Sequence, residues 1–140
     1  MKSFLLTTAL FLMALPMLSA QAAPSKIFTL EVVVNNLPNS NGHVGIQVMD
    51  AQKKTVSSAY VSVWDQGSMV TFHNLPPGKY AVRMYHDENN NGKMDANMMG
   101  IPTEKYGFSN NVTGIMGTPP EFSKMLFDLN KTTTLTIDAN

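Results

Sequence analysis

Between His86 and Asn111 the chain reads HDENNNGKMDANMMGIPTEKYGFSNN, and its oxygen-bearing side chains fall on alternate positions: Asp87, Asn89 and Asn91, then Gly92 and, three further on, Asp95. Counting Asp87 as position one, Asn89, Asn91, Gly92 and Asp95 occupy positions three, five, six and nine of an EF-hand-type loop. That spacing wraps side-chain oxygens around a hard cation such as calcium, with a glycine at the sharp turn. Position twelve is Met98 instead of a bidentate Glu, and the segment before the loop alternates like a strand, so a complete EF-hand is excluded. Glu104 is the carboxylate available to replace the missing ligand, whereas Glu88 points away by alternation. With only Asp87 and Asp95 charged among the side chains at positions one, three, five and nine, calcium affinity is expected toward the weak end, about micromolar to millimolar. A metal-free turn is the competing reading: Asn and Gly supply positive φ, and Asp87 caps the turn through its side chain.

Two other chemistries draw on the same region. His86, Asp87, Glu104 and Tyr106, with Ser109 close behind, can be assembled into a hydrolytic site, which would make the chain an exported enzyme. Against this, no G-x-S-x-G or other nucleophile elbow surrounds Ser109, and nothing pairs it with His86 in a known order. The simpler expectation is that His86 ends a strand and bonds loop backbone. Met84, Met94, Met98, Met99 and Met116 offer thioethers near His86, a ligand set suited to Cu(I). Methionine also fills cores, and no M-x-M or M-x-x-M repeat follows the leader.

These residues must be positioned by something, and composition bounds what it is. Lys2 followed by the apolar run Phe4 to Leu18 and the small-x-small site Ala20-Gln21-Ala22 reads as a signal peptide over residues 1–22, cut after Ala22. The run is short for the roughly 20 residues that cross a bilayer, so no membrane anchor is expected after cleavage. No cysteine occurs in the chain, which removes lipoprotein attachment, disulfides, thiol catalysis and zinc-thiolate sites. Without Lys2 the ten Lys and Arg become nine against ten Asp and Glu, and no basic cluster is left to follow nucleic acid. Residues 23–140 are expected to form one domain, periplasmic or secreted, with enough length for a single core.

Period-two alternation dominates that domain. Ile27 to Val34 and Val44 to Val48, separated by Asn41-Gly42, read as a hairpin. A third strand runs from Val56 to Trp64, with Tyr60 and Trp64 as core anchors. Met69 to Leu75 and Lys79 to Tyr85 flank the turn Pro76-Pro77-Gly78. Met125 to Leu129 and Thr132 to Ile137 are expected to close the chain as a second hairpin at Asn130-Lys131. No stretch carries a sustained helical pattern. The fold class is therefore all-β, an antiparallel, immunoglobulin-like β-sandwich of about seven strands, with one long ordered loop from Asp87 to about Ser123; alternation leaves a closed barrel open as the alternative.

The run from Phe72 to Asn111 resembles the bacterial domain of unknown function family 2141 in three places. They are the strand entry L-P-x-G-x-Y-A, the loop H-D-x-N-x-N-G-x-x-D and the segment G-I-P-x-E-x-Y-G-F-S-N; Pro119-Pro120-Glu121-Phe122 is similar to the same family's P-P-x-F continuation. The resemblance implies an exported, transthyretin-like sandwich and assigns no activity. Met98-Met99 departs from the bulkier aliphatic or aromatic residues usual there, which favours packing over copper. The Leu75 to Tyr80 entry is also similar to carboxypeptidase regulatory-like and Cna B-type modules, which are binding or structural domains. The sequence thus points to an exported non-enzymatic binding or structural module, with calcium as candidate cofactor and a protein or carbohydrate as candidate ligand.

Overall fold

A computed structural model of the chain describes residues 25–115 and 117–140. The leader with its cut after Ala22, and Met116 of the methionine set, lie outside the described residues. Eight strands follow in order: β1 (Phe28–Asn35), β2 (His43–Asp50), β3 (Thr55–Ser62), β4 (Ser68–Leu75), β5 (Gly78–Asp87), β6 (Tyr106–Phe108), β7 (Phe127–Leu129) and β8 (Thr133–Asp138). A single helical turn, α1 (Phe122–Met125), precedes β7. Among the described residues no helix is long and apolar enough to cross a membrane.

Alternation decides which face each strand buries. Leu30, Val32 and Val34 of β1, Phe72 of β4 and Ile137 of β8 turn one way from a three-stranded sheet ordered β4-β1-β8. They meet Val44, Ile46 and Val48 of β2 and Tyr80, Val82 and Met84 of β5, from a second sheet ordered β3-β2-β5-β6. Residue 129, a leucine at the end of β7, joins the same core, because β7 pairs with the start of β5. Two sheets closing over one apolar layer make the fold an all-β sandwich. One pair departs from the antiparallel expectation: β8 runs parallel to β1.

Three expectations are corrected. β1 and β2 do not form a hairpin: β1 pairs with β4 and β8, whereas β2 pairs with β3 and β5. The Asn36–Gly42 connection carries the chain from one sheet to the other, with Leu37 buried beneath it and its N–H donating to Gln66 O. β7 and β8 likewise belong to different sheets, so Asn130-Lys131 is a crossover and not a hairpin turn. Tyr60 and Trp64 are not core anchors. Ala59, Val61 and Val63 take the inward positions of that segment, leaving Tyr60 45% and Trp64 61% exposed.

Candidate functional site

Of the residues singled out above, the outer face of the five-stranded sheet carries Tyr60, Asp87 and Tyr106, with the Asp/Asn loop rising from its edge. Cross-strand register places His43 beside Ser62 and Asp87 in one row, and Gly45 beside Tyr60 and Tyr85 in the next, with Tyr106 continuing that row. Gln47, Arg83 and Phe108 form a third row, and Met49 with Ala81 a fourth. Gly45 is glycine for a packing reason: a Cβ there would stand 2.3 Å from the Tyr85 ring. The aromatic row can therefore lie flat across β2.

Asp87 ends β5 on this face and is fully buried under the loop that follows it. Its Oδ1 accepts the Asn91 amide at 3.0 Å, and its Oδ2 accepts the Gly92 amide at 2.6 Å and the Tyr60 hydroxyl at 2.5 Å. Burial alone would raise its pKa. The Tyr60 hydroxyl and the amides of Gly92, Asn91 and Asn90 outweigh burial and hold the carboxyl below its ordinary value. The same hydrogen bond, followed by burial and by the Asp87 charge, pushes the Tyr60 phenol up to about 12. Gly92 adopts φ +80° at the turn, and Tyr85 donates its hydroxyl to Gly92 O at 3.1 Å, so two tyrosines from β3 and β5, the strands on either side of β2, clamp the loop to the sheet.

The other oxygen-bearing residues meet one another further out. Asn89 and Asn91 both direct Nδ2 at the Asp95 carboxylate, at 2.6 and 2.9 Å. Their own Oδ1 atoms accept the backbone amides of Asn91 and Lys93. Glu104 closes the loop from the far side: one oxygen accepts the Glu88 amide at 3.1 Å and the other the Asp95 amide at 2.9 Å. Asp87 and Glu104 thus hold backbone, while Asn89, Asn91 and Asp95 bring three side-chain heads within hydrogen-bonding distance. Among the described residues no three His, Cys, Asp or Glu side chains group as metal ligands, so a cation here would rely on amide oxygens.

The residues of the enzyme reading do not converge. His86 pairs with Val44 on the core side of β5, opposite in face to Asp87. Its Nε2 meets Asn41 O at 2.6 Å, as expected of a strand-end histidine bonding loop backbone, and its Nδ1 has no hydrogen-bond partner among the described residues, with Glu88 Oε1 3.8 Å away. Ser109 is buried, donating to Met125 O and accepting the Val82 amide, which locks the segment after β6 onto β5. Tyr106 lies on the outer face, beside Phe108 in an edge-to-face contact. Met98 and Met99 are fully and largely exposed, which corrects the expectation that they pack.

Two features of this face join residues far apart in the sequence. One is a surface chain in which Ser62 Oγ lies 3.4 Å from His43 Nε2 and His43 Nδ1 lies 2.6 Å from Asn90 Oδ1, with the imidazole stacked on Tyr60. It has a nucleophile, a base and an orienting group, but neither Ser62 nor His43 lines the groove on this face, and acyl transfer needs a pocket with oxyanion donors. The other is a groove of about 670 Å³ over the third and fourth rows. Met94 of the Asp/Asn loop forms one wall, Pro119, Pro120, Phe122 and Met125 the opposite one, and Gln47, Met49 and Arg83 the floor. Its signal in the sequence was faint: outward positions of β2 and β5 that carry Met and Tyr where a solvated face would be polar throughout.

A family model described as an uncharacterized protein conserved in bacteria, DUF2141, matches residues 32–137, from the middle of β1 to the end of β8. The chain belongs to the DUF2141 family. The matched span takes in both sheets, the Asp/Asn loop and both walls of the groove. No curated protein and no solved structure matches this DUF2141 chain.

Proposed function

We propose that this chain is an exported, non-enzymatic binding module whose recognition site is the groove on the outer face of the five-stranded sheet. One observation carries the reading: a cavity of about 670 Å³, of the size that takes small molecules, lies over the sheet with apolar walls and a few polar groups in its floor. Export rests on the leader, and a periplasmic or secreted location follows from it. The enzyme reading built on His86, Asp87, Glu104 and Tyr106 is disfavoured because three of the four spend their polar atoms on backbone or lie on the opposite face.

In this reading the Asp/Asn loop is the stiff wall of the site. Asp87, Tyr60, Tyr85 and Glu104 fix it to the sheet, which keeps Met94 over the groove. Calcium is the proposed optional brace, held by Asp95 with the amide oxygens of Asn89 and Asn91. Those oxygens must first leave the backbone amides they accept, a cost consistent with weak affinity. The expected ligand is small and largely apolar; a sugar or a protein segment would find few polar partners along these walls.

The test uses the neutral fluorophore N-phenyl-1-naphthylamine. Its emission is expected to rise on saturable binding to the wild-type protein. Met94→Glu and Phe122→Glu, one on each wall, are expected to weaken binding by about tenfold or more through an uncompensated charge in an apolar wall. Met98→Glu, at the exposed loop tip, should leave it unchanged. Equal binding by all four proteins, or none by the wild type, contradicts the groove as the site.

A further inference from the structure

The groove is apolar in its walls and cationic in its floor. Arg83 rises from the centre of β5 between Gln47 and Phe108, and its Nε donates to Gln47 Oε1 at 2.7 Å. That bond takes one edge of the guanidinium and fixes its plane. The Nη donors make no hydrogen bond or ion pair within the described residues, although Arg83 borders the cavity. A second cation, Lys53, stands at the rim with its ammonium 5.4 Å from the centre of the Phe122 ring. The single carboxylate among the lining residues is Glu121, which is paired with Lys124 at 3.7 Å. Two cations against one neutralised acid make the groove locally positive in a chain whose formal net charge is zero.

Charge of one sign inside apolar walls specifies a ligand with both characters. We propose that the groove takes a small amphiphilic carboxylate: an apolar body, aliphatic or aromatic, against Met49, Met94, Phe108 and Phe122, with its carboxylate on the Nη edge of Arg83. This rests on the groove being the binding site, and names the class of ligand that enters it. A planar guanidinium already held by Gln47 is suited to two parallel N–H···O bonds to a carboxylate, with little side-chain ordering left to pay for. Lys53 adds longer-range attraction at the entrance. A neutral ligand of the same shape keeps the apolar contacts and leaves the Arg83 donors to water.

The test compares 2-naphthoate with 2-naphthylmethanol, near-isosteric molecules that differ in charge, by calorimetry at low salt and by shifts of methyl-labelled methionines. Naphthoate is expected to bind roughly tenfold or more tightly than the alcohol, with both shifting the methyls of Met49, Met94 and Met125. Arg83→Gln should erase the difference between the two ligands while leaving the alcohol's affinity intact. Arg83 is exposed, so the variant should fold normally; Lys53→Gln should produce a smaller, salt-sensitive loss. Equal affinity for the two ligands, with groove methyls shifted by both, overturns the carboxylate assignment and leaves the groove standing. Absence of any shift at those three methionines overturns both. A preference for naphthoate that survives Arg83→Gln also rejects the assignment, because the anion would then be recognised elsewhere.

Discussion

Asp87→Asn removes a charge and one acceptor while changing almost no volume, so its cost can be worked out bond by bond. The wild-type carboxylate is fully buried and accepts from Asn91 N, Gly92 N and Tyr60 Oη. Asparagine offers one oxygen and an NH₂ group. Its less costly orientation puts the oxygen toward Gly92 and Tyr60 and the NH₂ toward Asn91, whose amide can fall back on Asn89 Oδ1. Two bonds then lose their charge assistance and a third is replaced by opposed donors, a loss of about 2–3 kcal/mol near neutral pH. Tyr60→Phe removes one donor to the carboxylate and leaves the amides in place, so about 1.5 kcal/mol is expected, the low end for a bond to a charged group. Because Asp87 and Tyr60 share a bond, the double variant should cost less than the sum.

The pH dependence has a definite sign. The Asp87 carboxyl is held below its unfolded value, so the stability it contributes is present above the unfolded pKa and lost as pH falls through the folded one. The gap between wild type and Asp87→Asn should therefore be widest near neutrality and shrink below about pH 4. Urea unfolding followed by far-ultraviolet circular dichroism, repeated down the pH scale, measures it. An Asp87→Asn protein within about 0.5 kcal/mol of wild type, or a gap that stays constant into acid, would refute the anchoring role of this carboxylate.

Trp64→Ala should change stability by less than about 1 kcal/mol, since the indole is largely exposed in the turn that Trp64 and Gly67 close; a loss of about 3 kcal/mol or more by the same urea assay would place it in the core after all. If the loop takes calcium, free calcium at ten times the dissociation constant should add about 1.4 kcal/mol and raise the melting temperature by several degrees, with magnesium doing less. Asp95→Asn should abolish that shift without the cost of Asp87→Asn, because Asp95 contacts Asn89 and Asn91 near solvent. Identical melts in calcium and in chelator would leave the loop a metal-free turn.

What could be read from the sequence, and what could not, divides along sequence distance. Period-two alternation located the strands from Phe28 to Tyr85 because each residue's face depends on its immediate neighbours. Alternation carries no information about partners, so two pairs of adjacent strands were joined as hairpins when each pair is split between the sheets. Tyr60 and Trp64 misled for a related reason. Alternation divides β3 and its extension into two sets, and the smaller Ala59, Val61 and Val63, not the large aromatics, face the core. β6 spans three residues, too short to alternate visibly. In the site, the Asp87 turn was legible because Asn91 and Gly92 lie within five residues of it. Its Tyr60 partner is 27 residues away, and the groove draws on β2, β5, β6 and the 119–125 segment, which only the fold brings together.

A ligand bound on the outer face of the five-stranded sheet would lie between the Asp87-anchored loop and the segment around α1. Intermolecular nuclear Overhauser contacts between bound 2-naphthoate and methyl-labelled methionines test it most directly, since Met49, Met94 and Met125 line the groove while Met69 lies in β4 of the opposite sheet and Met98 and Met99 project from the loop tip. Contacts are expected from the naphthalene ring to the first three and none to the others. Contacts to Met69, Met98 or Met99, with the groove methionines silent, would contradict it.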